Sequence, residues 1–256
     1  MAIKVIMKSK LHSDEELRRA RLELEVHADM NHAHVLPFLA AEETSDSLIL
    51  VTPLATGDLN SMTVNRVLSE GNCRNLCRQL LLGLNYLHNE RGLLHGDIKP
   101  ANILLFRNPV SGKYIAKICD FGFADFVKPG ESLPFSGLRG SLGYFAPEQL
   151  NRQDYGSGVD MFVLGVISYT LLCGYEPFYP SNLVGKLGGS ADEEILKFDS
   201  PYWDSISAEA KNFVKSLLCG NPDERMSAKA GLASAWLMER GVEPHPTSED
   251  MDVQFE

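Results

Sequence analysis

Between two apolar runs, residues 93–105 (LLHGDIKPANILL) hold Asp97, Lys99 and Asn102 at short, fixed offsets. A carboxylate, an ammonium and an amide set this close together can accept a proton, neutralise an anion and offer oxygen to a hard cation. The plain alternative is a solvated polar loop. A further carboxylate, Asp120, follows after two short apolar segments, 103–106 and 114–118, that read as strands joined across RNPVSGK.

The elements that must position these groups show in periodicity and breakers. Residues 2–8 read as a short strand with Ile3, Val5 and Met7 alternating, and 14–30 (DEELRRARLELEVHADM) as a helix with Asp and Glu in its first turn, where the helix dipole favours them. SLILVT at 47–52 is a buried strand by its β-branched and leucine content. It runs into PLATGDL, a Pro- and Gly-containing connector that marks a boundary between a small sheet-rich part and a larger remainder. A helix around 72–91, the hairpin, a Gly/Pro/Ser-rich segment at 122–147 and further helices follow. The longest apolar run, 161–173 (MFVLGVISYTLLC), falls short of the ~20 residues a membrane span needs and reads as a helix buried on every side.

At 256 residues, 44% hydrophobic and 23% charged, the chain has the apolar mass for one large domain or two small ones. A formal net charge of −10 argues against nucleic acid as a ligand, because phosphate backbones are met by basic faces. Five scattered cysteines without a metal-type pairing with histidine argue against a disulfide framework or zinc site and fit an intracellular, cytoplasmic setting, the nucleus also being open. The opening MAIKVIMKSK carries no secretory apolar run, and no membrane partner is expected. The tail at 241–256, acidic and Pro-containing, is expected to be poorly ordered.

In chain order, His95-Gly96-Asp97, Lys99, Asn102, Asp120-Phe121-Gly122 and Ala146-Pro147-Glu148 resemble the signature set of the eukaryotic protein kinases. The resemblance covers nearly the whole chain, and LLCGYEPF at 171–178 with the stretch 198–218 is similar to the calcium/calmodulin-dependent group of Ser/Thr kinases. It implies an α+β, bilobal fold with a truncated N-terminal β-sheet lobe and hinge at 1–54, a mainly helical C-terminal lobe at 55–240, and the tail at 241–256. ATP and Mg²⁺ would be the cofactors, a protein Ser/Thr hydroxyl the acceptor, and calmodulin or another regulator would act from outside this chain.

Residue by residue, the same resemblance makes Asp97 the acceptor of the substrate hydroxyl's proton and puts Lys99 beside the transferring phosphate. It assigns Asn102 and Asp120 to two Mg²⁺ ions, and Lys4 to the α/β-phosphates with Glu23 as its ion-pair partner. Glu25 stays open as the alternative to Glu23, since the two point to different helix faces and only one can face Lys4. Thr52 and Leu54 would bound the hinge of the nucleotide site. Asp160 would bond to the backbone of the loop carrying Asp97, and Arg225 would pair with Glu148.

Departures from the family pattern matter as much. The family places two strands and a Gly-rich loop ahead of the AIK strand, whereas this sequence starts at Met1; the resemblance then implies a small lobe without that lid and weak or lost activity in the chain as given. A non-catalytic kinase-like binding or scaffold protein is the alternative function. A small-molecule kinase is disfavoured by 140–148 (GSLGYFAPE), which resembles a peptide-positioning loop. Gly96 replaces an arginine that holds a phosphate on the activation segment, so phosphorylation at Ser132 or Ser136 is expected to change little, with Arg139 and Lys128 as local cations. Ser141 is expected to hydrogen-bond toward Asp97 and Lys99. His27 replaces an apolar residue near Phe121 and reads as a neutral, hydrogen-bonded core histidine, and Cys119 as a buried, inert thiol. Ala101 and Thr170 stand where basophilic relatives carry glutamates, which leaves the substrate sequence open.

Overall fold

A computed structural model describes residues 1–64, 66–141, 143–178 and 196–238; the expected tail at 241–256 lies outside the described residues. The small lobe is built from β1 (Ala2–Met7), α1 (Asp14–Ala28), β2 (Ala40–Glu43) and β3 (Ser47–Thr52). Its antiparallel sheet runs in the order β1-β3-β2, with Lys4 opposite Leu50. α1 starts where Ser13 accepts a hydrogen bond from the Glu16 N–H and so satisfies an orphan helix donor, while the Glu16 carboxylate reaches back to the His12 N–H ahead of the cap. Its buried residues, Ala20, Glu23, Val26 and His27, fall at helical spacing on one face.

The strand at 2–7 forms, but its apolar side chains do not enter the core: Ile3, Val5 and Met7 are 65%, 51% and 40% exposed. In a strand, Lys4 and Ile6 share the opposite face, and Lys4 meets Glu23 of α1, so α1 covers that face and leaves the Ile3 face open among the described residues.

The large lobe begins with β4 (Gly57–Asp58), α2 (Leu59–Thr63) and α3 (Glu70–Asn85), the last starting two residues earlier than its periodicity implied because Ser69 caps it. α3 runs into a π turn (Tyr86–Glu90) and β5 (Leu93–Leu94), then a hairpin of β6 (Ile103–Arg107) and β7 (Tyr114–Ile118), and β8 (Asp125–Phe126). β5 pairs with β8, so the loop after β5 lies against the segment carrying Asp120.

Among the described residues the helices α4 (Pro147–Leu150), α5 (Gly158–Cys173), α6 (Ala208–Leu217), α7 (Ala228–Leu232) and α8 (Ala235–Met238) follow. α5 is buried along almost its whole length, as its unbroken apolar run required. Gly165 makes that possible: a Cβ there would stand 2.8 Å from Leu218 and 2.9 Å from Leu217, so any side chain would push α6 away. Glu70, in the first turn of α3, accepts hydrogen bonds from Arg74, Ser207 and the Trp236 indole and thereby ties α3, α6 and α8 together.

The fold also traps His34 in the core, where Nδ1–H donates to the Ala116 carbonyl at 3.0 Å and Nε2 has no partner among the described residues. Burial pushes its pKa down to about 4, partly opposed by the Ala116 carbonyl and reinforced by His32 and Lys117. The unfolded chain takes up this proton near 6.5 and the folded chain only near 4, so the stability His34 contributes above pH 6.5 is lost as pH falls through that interval. Urea unfolding of His34→Gln is expected to show a pH slope shallower than the parent's by up to roughly 3 kcal/mol over this range. Identical slopes would remove His34 from the acid response.

Candidate active site

The Asp97 loop is held from beneath. Asp160, fully buried at the start of α5, accepts from the backbone N–H of His95 at 2.9 Å and of Gly96 at 3.0 Å, and from His88 Nε2 at 2.8 Å. Burial works against its ionisation, but the His88 hydrogen bond, the fields of His88 and His95 and the backbone donor outweigh it, and its pKa lies below the ordinary aspartate value. The π turn after α3 delivers His88 to this carboxylate, a partner the sequence reading missed.

At Gly96 the backbone is left-handed, with φ +77°, and a Cβ would come within 2.8 Å of the Phe123 carbonyl oxygen. Position 96 therefore rejects side chains in this conformation, which gives the missing arginine a backbone counterpart.

Asp97 then has two unlike oxygens. Oδ2 accepts from Lys99 Nζ at 2.6 Å and from Asn102 Nδ2 at 3.1 Å. Oδ1 is buried without a hydrogen-bond partner among the described residues. An unsatisfied buried acceptor costs roughly 1–3 kcal/mol, a cost that a hydroxyl donor arriving there would remove. Lys99 also donates to Ser141 Oγ at 2.7 Å, so Ser141 reaches Asp97 through Lys99 instead of directly.

On the opposite side, Lys4 Nζ stands 2.5 Å from Glu23 Oε1 and 3.0 Å from Asp120 Oδ1. Glu23 is buried and Glu25 exposed, so the geometry selects Glu23. Burial pulls the Lys4 pKa down, but Glu23 and Asp120 more than reverse this and hold the ammonium charged. Asp120 is likewise kept below the usual carboxylate value, burial being overcome chiefly by Lys4. Asp120 sits at φ 70°, a left-handed conformation that costs a non-glycine residue of order 1–3 kcal/mol and persists where surroundings impose it. The Cys119 N–H donates to the Asn102 carbonyl at 3.0 Å, which sets Asp120 beside Asn102. The Cys119 thiol, pushed up to about 12 by burial first and the neighbouring carboxylates second, is inert.

These donors fit a small hard cation. Asp120 offers a carboxylate, and Asn102, whose Nδ2 is engaged by Asp97, has its amide oxygen left to offer. Gly122 lies beside them, where a Cβ would fill the space 3.5 Å from both Asp120 Oδ1 and Glu23 Oε2. Thr52 is buried at the end of β3, while Leu54 is 69% exposed and stands outside the charged cluster.

His27 joins the halves through rings. It packs 5.3 Å from Phe121, which packs 5.4 Å from His95, and its Nε2 meets the Leu36 carbonyl at 2.8 Å. Burial lowers its pKa, so it stays neutral as expected of a core histidine. Another set of contacts escaped the sequence reading: Arg19 and Arg139, from different segments, both approach Asp125.

A small sheet lobe over a helical lobe, with paired carboxylates and lysines at the junction, defines a protein kinase domain. The family model of the protein kinase domain matches residues 1–237, and the chain belongs to the protein kinase family. It is 35% identical over 240 residues to calcium/calmodulin-dependent protein kinase cmkA of Emericella nidulans, covering 93% of this chain and 56% of that protein. Against calcium/calmodulin-dependent protein kinase type 1 of Macrobrachium nipponense the identity is 34%, covering 93% and 67%. Against myosin light chain kinase A of Dictyostelium discoideum it is 34%, covering 92% and 78%. The chain thus spans between 56% and 78% of the length of these three relatives. No helix among the described residues is long and apolar enough to cross a membrane.

Proposed function

We propose that the chain is the catalytic part of an ATP- and Mg²⁺-dependent protein serine/threonine kinase. The observation that carries this reading is the partnerless, buried Oδ1 of Asp97, held in place by Lys99 and Asn102 acting on Oδ2. An acceptor left unsatisfied beside a lysine and an amide is what a proton-accepting group requires and a non-catalytic scaffold would not need.

In this reading Asp97 orients the acceptor hydroxyl and takes its proton, and Lys99 neutralises charge on the transferring phosphoryl group. Lys4, fixed by Glu23, holds the α/β-phosphates; Asp120 and Asn102 hold Mg²⁺. When bound, Mg²⁺ offsets negative charge on the phosphate oxygens. Thr52 and Leu54 bound the hinge of the nucleotide site. The names of the relatives support a kinase that acts on protein substrates under calmodulin or another regulator outside this chain, and the free cysteines fit a cytoplasmic setting.

The test is transfer of label from γ-labelled ATP to a mixed protein substrate by the full-length protein with Mg²⁺. Label on serine or threonine is the expected result; label on tyrosine, or none, rejects the reading. Asp120→Ala is expected to lower Mg-ATP affinity at least about tenfold by calorimetry, since it removes a charged ligand from a divalent ion. Unchanged affinity would take Asp120 out of the metal site.

A further inference from the structure

We propose that Asp125 is a positioning residue: a built-in anion that joins the nucleotide half of the site to the acceptor half. The inference rests on the kinase reading and adds how the two halves are kept in register. Asp125 Oδ2 lies 3.6 Å from Arg19 Nη2 and 3.5 Å from Arg139 Nη1.

Each arginine leads to one half. Arg19 precedes Glu23 by one turn on the same face of α1, and Glu23 holds Lys4. Arg139 stands two residues before Ser141, whose hydroxyl accepts from Lys99, which holds Asp97. Asp125 itself is in β8, opposite Leu94 and so beside the entry to the Asp97 loop. One carboxylate thus meets α1, the 139–141 segment and the strand that carries the catalytic loop.

Without that carboxylate two guanidinium groups would face each other. Their other anions do not replace it: Arg19 also meets Glu15 at 3.2 Å, but Glu15 belongs to the same helix and cannot join α1 to anything else. Gly96 adds no cation, because its backbone admits no side chain there. The side chains are 19%, 29% and 29% exposed for Arg19, Arg139 and Asp125, so solvent screens them only in part. Each contact alone is worth little at such exposure; the effect comes from one group bridging three segments.

The experiment compares Asp125→Asn, Asp125→Glu and Arg139→Gln in the full-length protein by steady-state kinetics and by amide hydrogen exchange. Asp125→Asn is expected to lower kcat about five- to tenfold, with peptide KM changed less, and Asp125→Glu to restore most of it. Exchange should accelerate together at 20–28 and 139–141 in Asp125→Asn, and at 20–28 in Arg139→Gln, whose ionic link to α1 runs through Asp125. Acceleration confined to 124–127, or Asp125→Glu as impaired as Asp125→Asn, would overturn the proposal. A parent that transfers no phosphate would reject the kinase reading, and the exchange pattern would still decide the bridge.

Discussion

Asp97→Asn is expected to lower turnover at least about 100-fold while leaving ATP affinity within a few-fold of the parent. The substitution keeps the shape of the side chain and removes its ability to take a proton. It also turns one of the two oxygens into a donor. If the new amide nitrogen takes the Oδ2 position, it faces Lys99 Nζ at 2.6 Å and Asn102 Nδ2 at 3.1 Å, donor against donor. If it takes the Oδ1 position, the site presents a donor where the hydroxyl must donate. Either orientation spoils the acceptor geometry without touching Lys4, Glu23 or Asp120. The loss should therefore appear in kcat and not in nucleotide binding. A variant as active as its parent would sink the assignment of Asp97, and one that loses ATP binding equally would place Asp97 in the nucleotide site.

What was legible before the fold was known follows the range of the interactions. Asp97, Lys99 and Asn102 lie within six residues of one another, so their offsets alone bring them together, and they meet at 2.6 and 3.1 Å. Lys4, Glu23 and Asp120 are far apart in sequence, and only the family resemblance pointed to their meeting. The buried helix at 158–173 announced itself because an unbroken apolar run has no polar face to offer water. The inward face of β1 did not, since alternation sets two faces apart without saying which is covered. Nothing in the local pattern singles out Glu70, yet it holds three helices together, because its partners Ser207 and Trp236 are 137 and 166 residues away. Asp125 and Arg19 carry no local signal either, and Arg139, read from the sequence as a local cation for the activation segment, meets Asp125 instead. Local patterns carry burial and turns, and partner choice between distant charges is settled by the fold.

The ion pair of Arg225 and Glu148 shows what such a distant pairing does for stability. Arg225 Nη1 and Nη2 donate to the two carboxylate oxygens at 2.6 and 2.9 Å, and both side chains are almost completely buried, at 0% and 2% exposure. The guanidinium donates further to the carbonyls of Cys219 and Gly158, each at 2.9 Å, and lies 5.1 Å from the Phe162 ring centre. Every donor direction is used, which offsets much of the desolvation of the two charges. Arg225→Met is expected to cost about 3–5 kcal/mol in urea unfolding, because it strands the Glu148 carboxylate in the core. Glu148→Leu should cost a similar amount by stranding the cation. The double variant should cost clearly less than the sum, since no buried charge is left unpaired and the carbonyls that Arg225 caps account for the remainder. Additive losses would show that the two residues act separately. The pair also fixes the end of the activation segment: Glu148 lies in α4, directly after the stretch bearing Ser141, and Arg225 ties α4 to the start of α5, where Asp160 supports the Asp97 loop. Arg225→Met should therefore loosen 139–148 and lower activity even below the unfolding transition, and a variant that is destabilised yet fully active would confine the pair to a structural role.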